Sequence, residues 1–218
     1  MAIASRKAPH TMKSVIQGIL KFQSDEQPSK QALFDQLASA QSPDVLLVTC
    51  ADSRIDPGLI TQTNPGELFI CRNAGNIVPP LPDYSGDIAA SVEFGVAALG
   101  VKHIVVMGHT DCGAMKGAMN REAVAALPKV YEWLGYAEEA ASAAEDNPAD
   151  PLLAVTEANV LLQLRNLRTH PAVSAGLDAG SIDLHGWVYH IGSGAVTCHD
   201  SDTGQFHPIA DRYADLVA

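Results

Sequence analysis

The sequence predicts an α/β fold in which a mostly parallel β-sheet is flanked by helices. Apolar runs of strand length occur at 44–50, 66–73 and 102–108, and such continuous runs suit strands that are buried on both faces. A helical spacing of apolar residues at 87–100 separates the second run from the third, which predicts a right-handed parallel crossover. The turn "GSG" at 192–194 separates two further strand-like segments, so we expect an antiparallel edge strand.

The other elements follow from the same kind of spacing. Apolar residues at helical intervals predict a helix over 13–39 that is interrupted near "SDEQPS". The remaining predicted segments are helices at 127–146 and 152–171 and the two arms of a hairpin at 182–191 and 195–206. We expect a single domain over 1–218, with an N-terminal helical arm over 1–40 whose apolar residues suit a partner subunit better than solvent.

Composition excludes several classes of function. The formal net charge of −11 repels phosphate backbones, so we expect no nucleic-acid partner. Apolar runs such as "HIVVMG" are far shorter than the roughly 20 residues that a membrane-spanning helix needs. The N-terminus carries no secretory cleavage pattern, so we expect a cytoplasmic protein without membrane partners. Its four cysteines are then better suited to metal binding or catalysis than to disulfides.

Two of the predicted strands end in residues that bind metals. Cys50 ends the first strand, and His109 and Cys112 follow the third. Ligands of parallel α/β sheets lie beyond the carboxyl ends of the strands, so neighbouring strands would bring these residues together. Two thiolates and one imidazole suit tetrahedral zinc, and three protein ligands leave a fourth position open, as in catalytic sites. The sequence therefore predicts one Zn²⁺ per subunit.

Asp52 and Arg54 leave the same strand end as Cys50, and two interpretations of this pair are open. Asp52 could close the metal site as a fourth ligand, which would give an inactive form. Alternatively, it accepts a hydrogen bond from a zinc-bound water while Arg54 restrains it in a bidentate pair. Zinc lowers the pKa of bound water from about 15.7 towards 7, so the second interpretation predicts water activation. Asp111, between the two later ligands, could make a contact that supports the metal site or cap the helix that begins near Gly113, and we expect the capping role.

Six segments of the sequence are characteristic: CxDxR at 50–54, "ELFICRNAGNIVPP" at 67–80, "SVEFGVAALGV" at 91–101, HxxCGA at 109–114, "LQLRNLRTHP" and "LHGWVYHI". These segments resemble the β-class carbonic anhydrases, in particular the bacterial and cyanobacterial branch of the plant-like subtype. The resemblance covers nearly the whole chain. It implies a zinc lyase that reversibly hydrates carbon dioxide to bicarbonate and a proton, with Cys50, His109 and Cys112 on zinc. Asp52 and Arg54 would then be the catalytic pair.

The resemblance also implies an oligomer and a substrate pocket. Members of this family form dimers that assemble further, with each active site at the dimer interface. The pocket residues of the plant-like subtype fall on Gln41, Phe69 and Phe94, and Ala74 and the Gly113 amide complete the expected wall. Phe94 departs from the family pattern, because a Tyr usually occupies this position.

A second subtype of the family is inhibited by bicarbonate in an additional pocket that contains a Trp. Leu47 stands at that position here, so we expect no inhibitory bicarbonate site.

Other functions remain compatible with the same residues. An enzyme with this fold and metal could hydrolyse carbonyl sulfide or carbon disulfide, and the shape of the pocket would discriminate between these substrates. A non-catalytic zinc-binding or redox-sensing module would have Asp52 as a permanent fourth ligand, and the presence of Arg54 argues against it. The sequence leaves open the physiological setting, which could be general bicarbonate supply for carbon utilisation in the cytoplasm, a carbon-fixing microcompartment or support of cyanate breakdown. It also leaves open whether the oligomer is a dimer, tetramer or octamer.

Overall fold

The computed structural model describes residues 11–82, 86–145, 147 and 149–217, which fall into two compact units, Met1–Gln41 and Ser42–Ala218. The N-terminal unit contains α1 (Met12–Lys21), a π-helical turn (Phe22–Glu26), α2 (Gln27–Ser29) and α3 (Gln31–Leu37). None of the helices in the described ranges is both long and apolar enough to cross a membrane.

The helical segment predicted over 13–39 is interrupted near "SDEQPS", as expected from the sequence. Pro28 has no N–H to donate to the carbonyl group of Ser24, and the π-helical turn accommodates the missing bond. Lys30 leaves the helical region of the backbone, with φ −117° and ψ 24°, and so separates α2 from α3.

The second unit contains six strands and nine α-helices among its described residues. In chain order they are β1 (Val45–Cys50), α4 (Pro57–Thr61), β2 (Leu68–Asn73), α5 (Asp87–Glu93), β3 (His103–His109), α6 (Gly113–Met119), α7 (Pro128–Leu134), α8 (Glu138–Ala141), α9 (Pro151–Leu167), α10 (Pro171–Asp178), β4 (Asp183–Tyr189), β5 (Val196–Asp200), β6 (Gln205–Pro208), α11 (Ile209–Arg212) and α12 (Ala214–Val217).

The strands form one sheet in the order β2-β1-β3-β4-β5-β6. The first four strands of this order are parallel, which confirms the predicted mostly parallel α/β architecture. The segment at 195–206 is not one edge strand but two antiparallel strands, β5 and β6. A turn over 201–204 separates them, and Gly204 supplies the left-handed conformation of that turn, with φ +70°.

The predicted helix at 127–146 is also interrupted. Ala137 leaves the helical region between α7 and α8, with φ −116° and ψ 3°, although alanine has a high helix propensity. Leu134, Ala137 and Ala140 are buried, and Leu134 and Ala137 pack in one cluster with Met115 and Val155. Packing of these short helices against their neighbours therefore decides the local conformation more strongly than propensity does.

Helix α9 packs closely over the sheet because two strand positions are glycine. A Cβ atom at Gly108 of β3 would lie 3.0 Å from Val160, and one at Gly186 of β4 would lie 2.9 Å from the same side chain. Glycine thus permits α9 to contact β3 and β4 directly. The four cysteines are free, buried thiols.

Candidate metal centre

The three predicted metal ligands meet at the carboxyl ends of two neighbouring strands. β1 and β3 pair in parallel, β1 ends at Cys50, and β3 ends at His109. Cys112 follows as the N-cap residue of α6. The two Sγ atoms and an imidazole nitrogen all lie within 4.8 Å of one another, and all three side chains are buried. Within the described ranges this is the only such group of three or more His, Cys, Asp or Glu side chains.

The orientation of His109 leaves one ring nitrogen for a metal. Its Nδ1 atom lies 2.9 Å from the carbonyl oxygen of Thr110, which fixes the ring. Its Nε2 atom is buried and has no hydrogen-bond partner among the described residues. An unpaired buried nitrogen beside two thiols matches the donor set of zinc, so the residues present fit this metal.

The two thiols interact closely and shift each other's pKa in opposite directions. The neighbouring Cys112 thiol and His109 imidazole, together with the Gly75 amide that donates to Cys50 Sγ at 3.4 Å, stabilise the Cys50 thiolate and lower its pKa. The pKa of Cys112 is raised by its bond to that thiolate and by burial. Burial lowers the pKa of His109, but the neighbouring Cys50, Thr110 and Asp52 together outweigh burial, and the net direction is upward. The three side chains are thus close enough to shift one another's pKa, which fits a shared metal site.

Asp52 and Arg54 form a bidentate ion pair beside the ligands. Arg54 donates from Nε to Asp52 Oδ1 at 3.0 Å and from Nη2 to Oδ2 at 2.8 Å. The backbone N–H of Arg54 also donates to Asp52 Oδ1, at 2.9 Å, so part of the pair is fixed by a local turn. These bonds from Arg54 hold the pKa of Asp52 well below its usual range. Asp52 Oδ2 lies 3.8 Å from His109 Nε2 and is not a member of the ligand group.

Asp111 does not cap α6, and the capping prediction was wrong. Cys112 occupies the N-cap position without a side-chain cap bond. The Asp111 carboxylate instead accepts a bond from Arg54 Nη1 at 2.8 Å and is paired through its other oxygen with Lys116. Its backbone has φ +60°, which turns its side chain towards the segment that follows β1.

Arg72 supports the same segment, and the sequence analysis did not single it out. It donates from Nε to the carbonyl oxygen of Cys50 at 3.0 Å and from Nη2 to that of Asp52 at 2.9 Å. Arg72 lies on β2, the neighbouring parallel strand, one residue before the end. The sequence places Arg72 within the "CRN" segment. Its hydrogen bonds to backbone carbonyl groups, however, depend on the pairing of β1 with β2, which the sequence does not specify.

A ladder of buried amides on α9 holds the loop that follows β2. Asn159 donates to the carbonyl oxygen of Gly75 at 3.0 Å, Gln163 accepts from the Val78 amide at 2.9 Å, and Asn166 donates to the Val78 carbonyl at 3.0 Å. The sequence analysis missed these residues. The amide side chains at intervals of four and three along this helix were the signal in the sequence that could have identified them. Because this loop supplies the Gly75 amide to Cys50, the ladder supports the metal centre.

Of the five residues predicted to form the substrate wall, Ala74 and Gly113 lie close to the metal ligands. Ala74 follows Asn73, the register partner of Cys50, and its carbonyl oxygen accepts a bond from Trp133 at 2.8 Å. Gly113 directly follows Cys112 and begins α6. Both therefore border the ligands.

Phe69 and Phe94 form an aromatic pair with ring centroids 6.0 Å apart. Phe69 pairs in register with Leu46, four residues before the end of β1, which is about 13 Å along the strand from Cys50. Gln41 lies at the end of the N-terminal unit. One copy of the second unit therefore does not bring the aromatic pair next to the ligands.

Comparisons of the sequence with known proteins agree on one family. The family model described as carbonic anhydrase matches residues 45–196. A carbonic anhydrase of Pseudomonas aeruginosa is 45% identical over 205 residues, which cover 92% of this chain and 93% of the relative. A carbonic anhydrase of Synechococcus elongatus is 44% identical over 191 residues, which cover 85% of this chain and 70% of the relative.

Solved structures show the same fold. The β-carbonic anhydrase CcaA has a TM-score of 0.87 and 39% sequence identity over 90% of this chain and 91% of its own. One of two tetrameric β-carbonic anhydrases from Sordaria macrospora has a TM-score of 0.76 and 26% identity over 85% of this chain and 95% of its own. Because the family model spans more than half of the chain and relatives above 40% identity cover most of it, the chain belongs to the β-carbonic anhydrases, the zinc-dependent lyases that hydrate carbon dioxide to bicarbonate.

Proposed function

We propose that this chain reversibly hydrates carbon dioxide at the Cys50–His109–Cys112 centre, with Asp52 and Arg54 as its catalytic pair. The observation that carries the proposal is the position of the Asp52 carboxylate, which lies 3.8 Å from the unpaired Nε2 atom of His109 while Arg54 holds it from the other side. A carboxylate placed in this way faces the position that three protein ligands leave open.

Cys50, His109 and Cys112 would hold one zinc ion per subunit, through two thiolates and Nε2 of the imidazole. Zinc held there would lower the pKa of a coordinated water towards about 7 and so would supply a nucleophile near neutral pH. The chain contributes the orientation of that water. Asp52 stays ionised because Arg54 lowers its pKa, and Oδ2 keeps a lone pair to accept a hydrogen bond from the attacking water.

Arg54 has a second role in this proposal, which is to restrain Asp52. Both carboxylate oxygens accept bonds from Arg54, so Asp52 cannot turn towards the metal without breaking that pair. Release from Arg54 would allow Asp52 to become a fourth ligand and produce the closed, inactive form. The same restraint argues against a non-catalytic module, since a permanent fourth ligand would gain nothing from an arginine beside it.

The substrate wall is proposed to be completed by a second copy of the chain. Ala74 and Gly113 border the ligands within one copy, whereas Phe69 and Phe94 lie roughly 13 Å along the strand from Cys50. Phe94 is 49% exposed, which leaves an apolar ring available to a neighbouring subunit. We assign Phe69, Phe94 and Gln41 to the wall of the active site in a homodimer or larger homo-oligomer.

The arm at 1–40 is proposed to form part of this assembly, attached to one catalytic domain. Its α1 helix exposes Val15, Ile16, Ile19 and Leu20, an apolar face that a second copy would cover. The tetrameric relative from Sordaria macrospora is consistent with higher assembly, although the number of subunits stays open. A cytoplasmic location, with or without a carbon-fixing microcompartment, stays a prediction.

Stopped-flow hydration of carbon dioxide tests the roles of the catalytic pair. We expect Asp52→Asn to lower kcat/KM by about 100-fold or more, since a positioned acid–base group contributes that much, and Arg54→Lys to lower it less. Both variants should retain one zinc ion per chain. The matched control is Glu132→Gln, which breaks an exposed ion pair with Lys129 and should leave the rate unchanged.

Wild-type rates in both zinc-loaded variants would refute the assignment of Asp52 and Arg54. A parallel assay with carbonyl sulfide tests the alternative substrate. Hydrolysis of carbonyl sulfide with a larger kcat/KM than hydration of carbon dioxide would replace the proposed reaction with that alternative.

A further inference from the structure

We propose that Asp111 is a positioning residue that orients the Arg54 guanidinium towards Asp52. The inference rests on the proposed function, because it assigns Asp111 a role through the catalytic pair. Asp111 contacts neither substrate nor metal in this scheme. It acts by fixing the plane of Arg54, and Arg54 in turn fixes the carboxylate that orients the attacking water.

The hydrogen bonds of Arg54 divide into two sets. Nε and Nη2 donate to the two oxygens of Asp52, at 3.0 and 2.8 Å. On its other side, Nη1 donates to Asp111 Oδ2 at 2.8 Å and Nη2 donates to the Asp111 carbonyl oxygen at 3.1 Å. All three guanidinium nitrogens are therefore engaged, and the rigid fork of arginine is held at both of its ends.

Asp111 is itself held in place. Its second carboxylate oxygen pairs with Lys116, one turn into α6, so the carboxylate bridges two cations. Arg54 follows β1 and Asp111 follows β3, and the contact therefore joins the segment after Cys50 to the turn between His109 and Cys112. The two segments that supply the metal ligands are connected by the same guanidinium that holds Asp52.

The backbone of Asp111 provides an independent observation. Its φ of +60° lies in the left-handed region, which costs a residue with a Cβ atom about 1 kcal/mol or more. Glycine would adopt this conformation without that cost. In this conformation the Asp111 side chain is engaged with Arg54 and Lys116.

Stability does not account for the contact. The side chains of Arg54 and Asp111 are 42% and 55% exposed, and ion pairs at such exposure contribute at most about 1 kcal/mol. The contact instead fixes the direction in which the Arg54 guanidinium faces Asp52. Without it, Arg54 keeps its bonds to Asp52 but loses the anchor that sets the angle of the guanidinium plane.

A double-mutant cycle tests the inference by kinetics. Asp111→Asn tolerates the left-handed backbone and keeps the shape of the side chain while removing its charge. We expect it to lower kcat about 10-fold, as loss of an outer hydrogen-bond partner does at metal sites, with KM changed less than about twofold. In an Arg54→Lys background, the same change should lower kcat by less than about twofold, because lysine cannot form the fork that Asp111 orients. Equal losses in both backgrounds would overturn the proposal.

An NMR readout reports on the positioning without using activity. In uniformly ¹⁵N-labelled protein, the Nε–H signal of Arg54 is identified by its disappearance in Arg54→Lys. We expect Asp111→Asn to accelerate both guanidinium rotation and proton exchange at Arg54. Asp111→Gly, which removes the side chain but suits the backbone, should give the same result. Unchanged Arg54 signals in both variants would overturn the proposal, as would loss of zinc from Asp111→Asn, since Asp111 would then shape the metal turn itself.

The controls separate this inference from the proposed function. Glu132→Gln removes an exposed, lysine-paired carboxylate elsewhere and should change neither kcat nor the Arg54 signals. If the wild-type protein with bound zinc hydrates no carbon dioxide, the proposed function fails, and the NMR result still decides whether Asp111 orients Arg54. If the wild type is active and Asp111→Asn keeps its full kcat, the positioning role alone fails.

Discussion

Glu157 lies partly buried on α9, and its environment makes the stability of the fold depend on pH. Burial raises the pKa of Glu157 above its ordinary value of 4.5, and the charge of Asp150 raises it further. A carboxyl whose folded-state pKa is raised destabilises the fold when it is ionised. This destabilisation is fully present above the raised pKa, and it disappears as the pH falls to the ordinary value.

Glu157→Gln removes that charge while keeping the shape of the side chain. We expect the variant to be more stable than the wild type at pH 8, by roughly 0.5 kcal/mol because the group is partly exposed to screening solvent. The advantage should be smaller at pH 5 than at pH 8, because a lower pH shifts the wild-type carboxyl towards its protonated form in the folded state. Thermal unfolding of both proteins at the two pH values measures the difference, and an advantage that grows at pH 5 would contradict the account.

The residues of the metal centre differ in how far they could be predicted. Cys50, His109 and Cys112 could be predicted because each lies at or just after the end of an apolar strand, where the fold class already places ligands. The contacts of Arg72 and Asp111 could not. The bonds of Arg72 depend on strand pairing, and those of Asp111 depend on a single backbone dihedral angle that no local pattern specifies.

Among the secondary-structure elements, α9 packs against the sheet at two glycine residues, Gly108 and Gly186. A Cβ atom at Gly186 would lie 2.9 Å from Val160 and 3.0 Å from Leu164. Gly186→Ala should therefore lower the free energy of unfolding by about 1–3 kcal/mol, the usual cost of overpacking a core. Chemical denaturation measures this change.

The matched control for Gly186→Ala is Gly192→Ala. A Cβ atom at Gly192 meets nothing within 4 Å, so this substitution should change stability by less than about 0.5 kcal/mol. Similar losses of stability in the two variants would show that α9 does not depend on the close approach at Gly186.

The elements that were predicted correctly are those in which the sequence pattern of apolar residues agrees with the way the element packs in the structure. β1 and β3 are continuous apolar runs, and both are buried strands in the structure. The helix expected over 127–146 is broken at Ala137, because burial of short segments overrides alanine propensity. The division of 195–206 into β5 and β6 depends on a turn at Gly204, which the prediction of a single hairpin did not include. The hydrogen bonds of the α9 amide ladder likewise could not be predicted, because they form only when the loop after β2 lies beside α9.

At the scale of the whole molecule, the account requires a second copy of the chain. Ile19 lies on the exposed apolar face of α1, and we expect Ile19→Asn to shift the protein towards smaller species, since a polar group would be placed in the proposed interface. Light scattering coupled to gel filtration measures the mass. Lys21→Asn, on the opposite side of α1, is the matched control and should retain the wild-type mass.

Activity should follow assembly in the same pair of variants. If Phe69 and Phe94 complete the active site of a second copy, dissociated Ile19→Asn should lose carbon dioxide hydration while each chain keeps its zinc. Full activity in a dissociated variant would contradict the shared site.

The central claim is that one zinc ion, held by Cys50, His109 and Cys112, makes this chain hydrate carbon dioxide. The most direct test adds zinc stepwise to metal-free protein and measures hydration by stopped-flow spectrophotometry at pH 8–9. We predict that the rate rises linearly to one equivalent of zinc per chain and then stays constant, and that Cys112→Ser shows no such rise. Hydration by the metal-free protein, or an equal rise in Cys112→Ser, would contradict the claim.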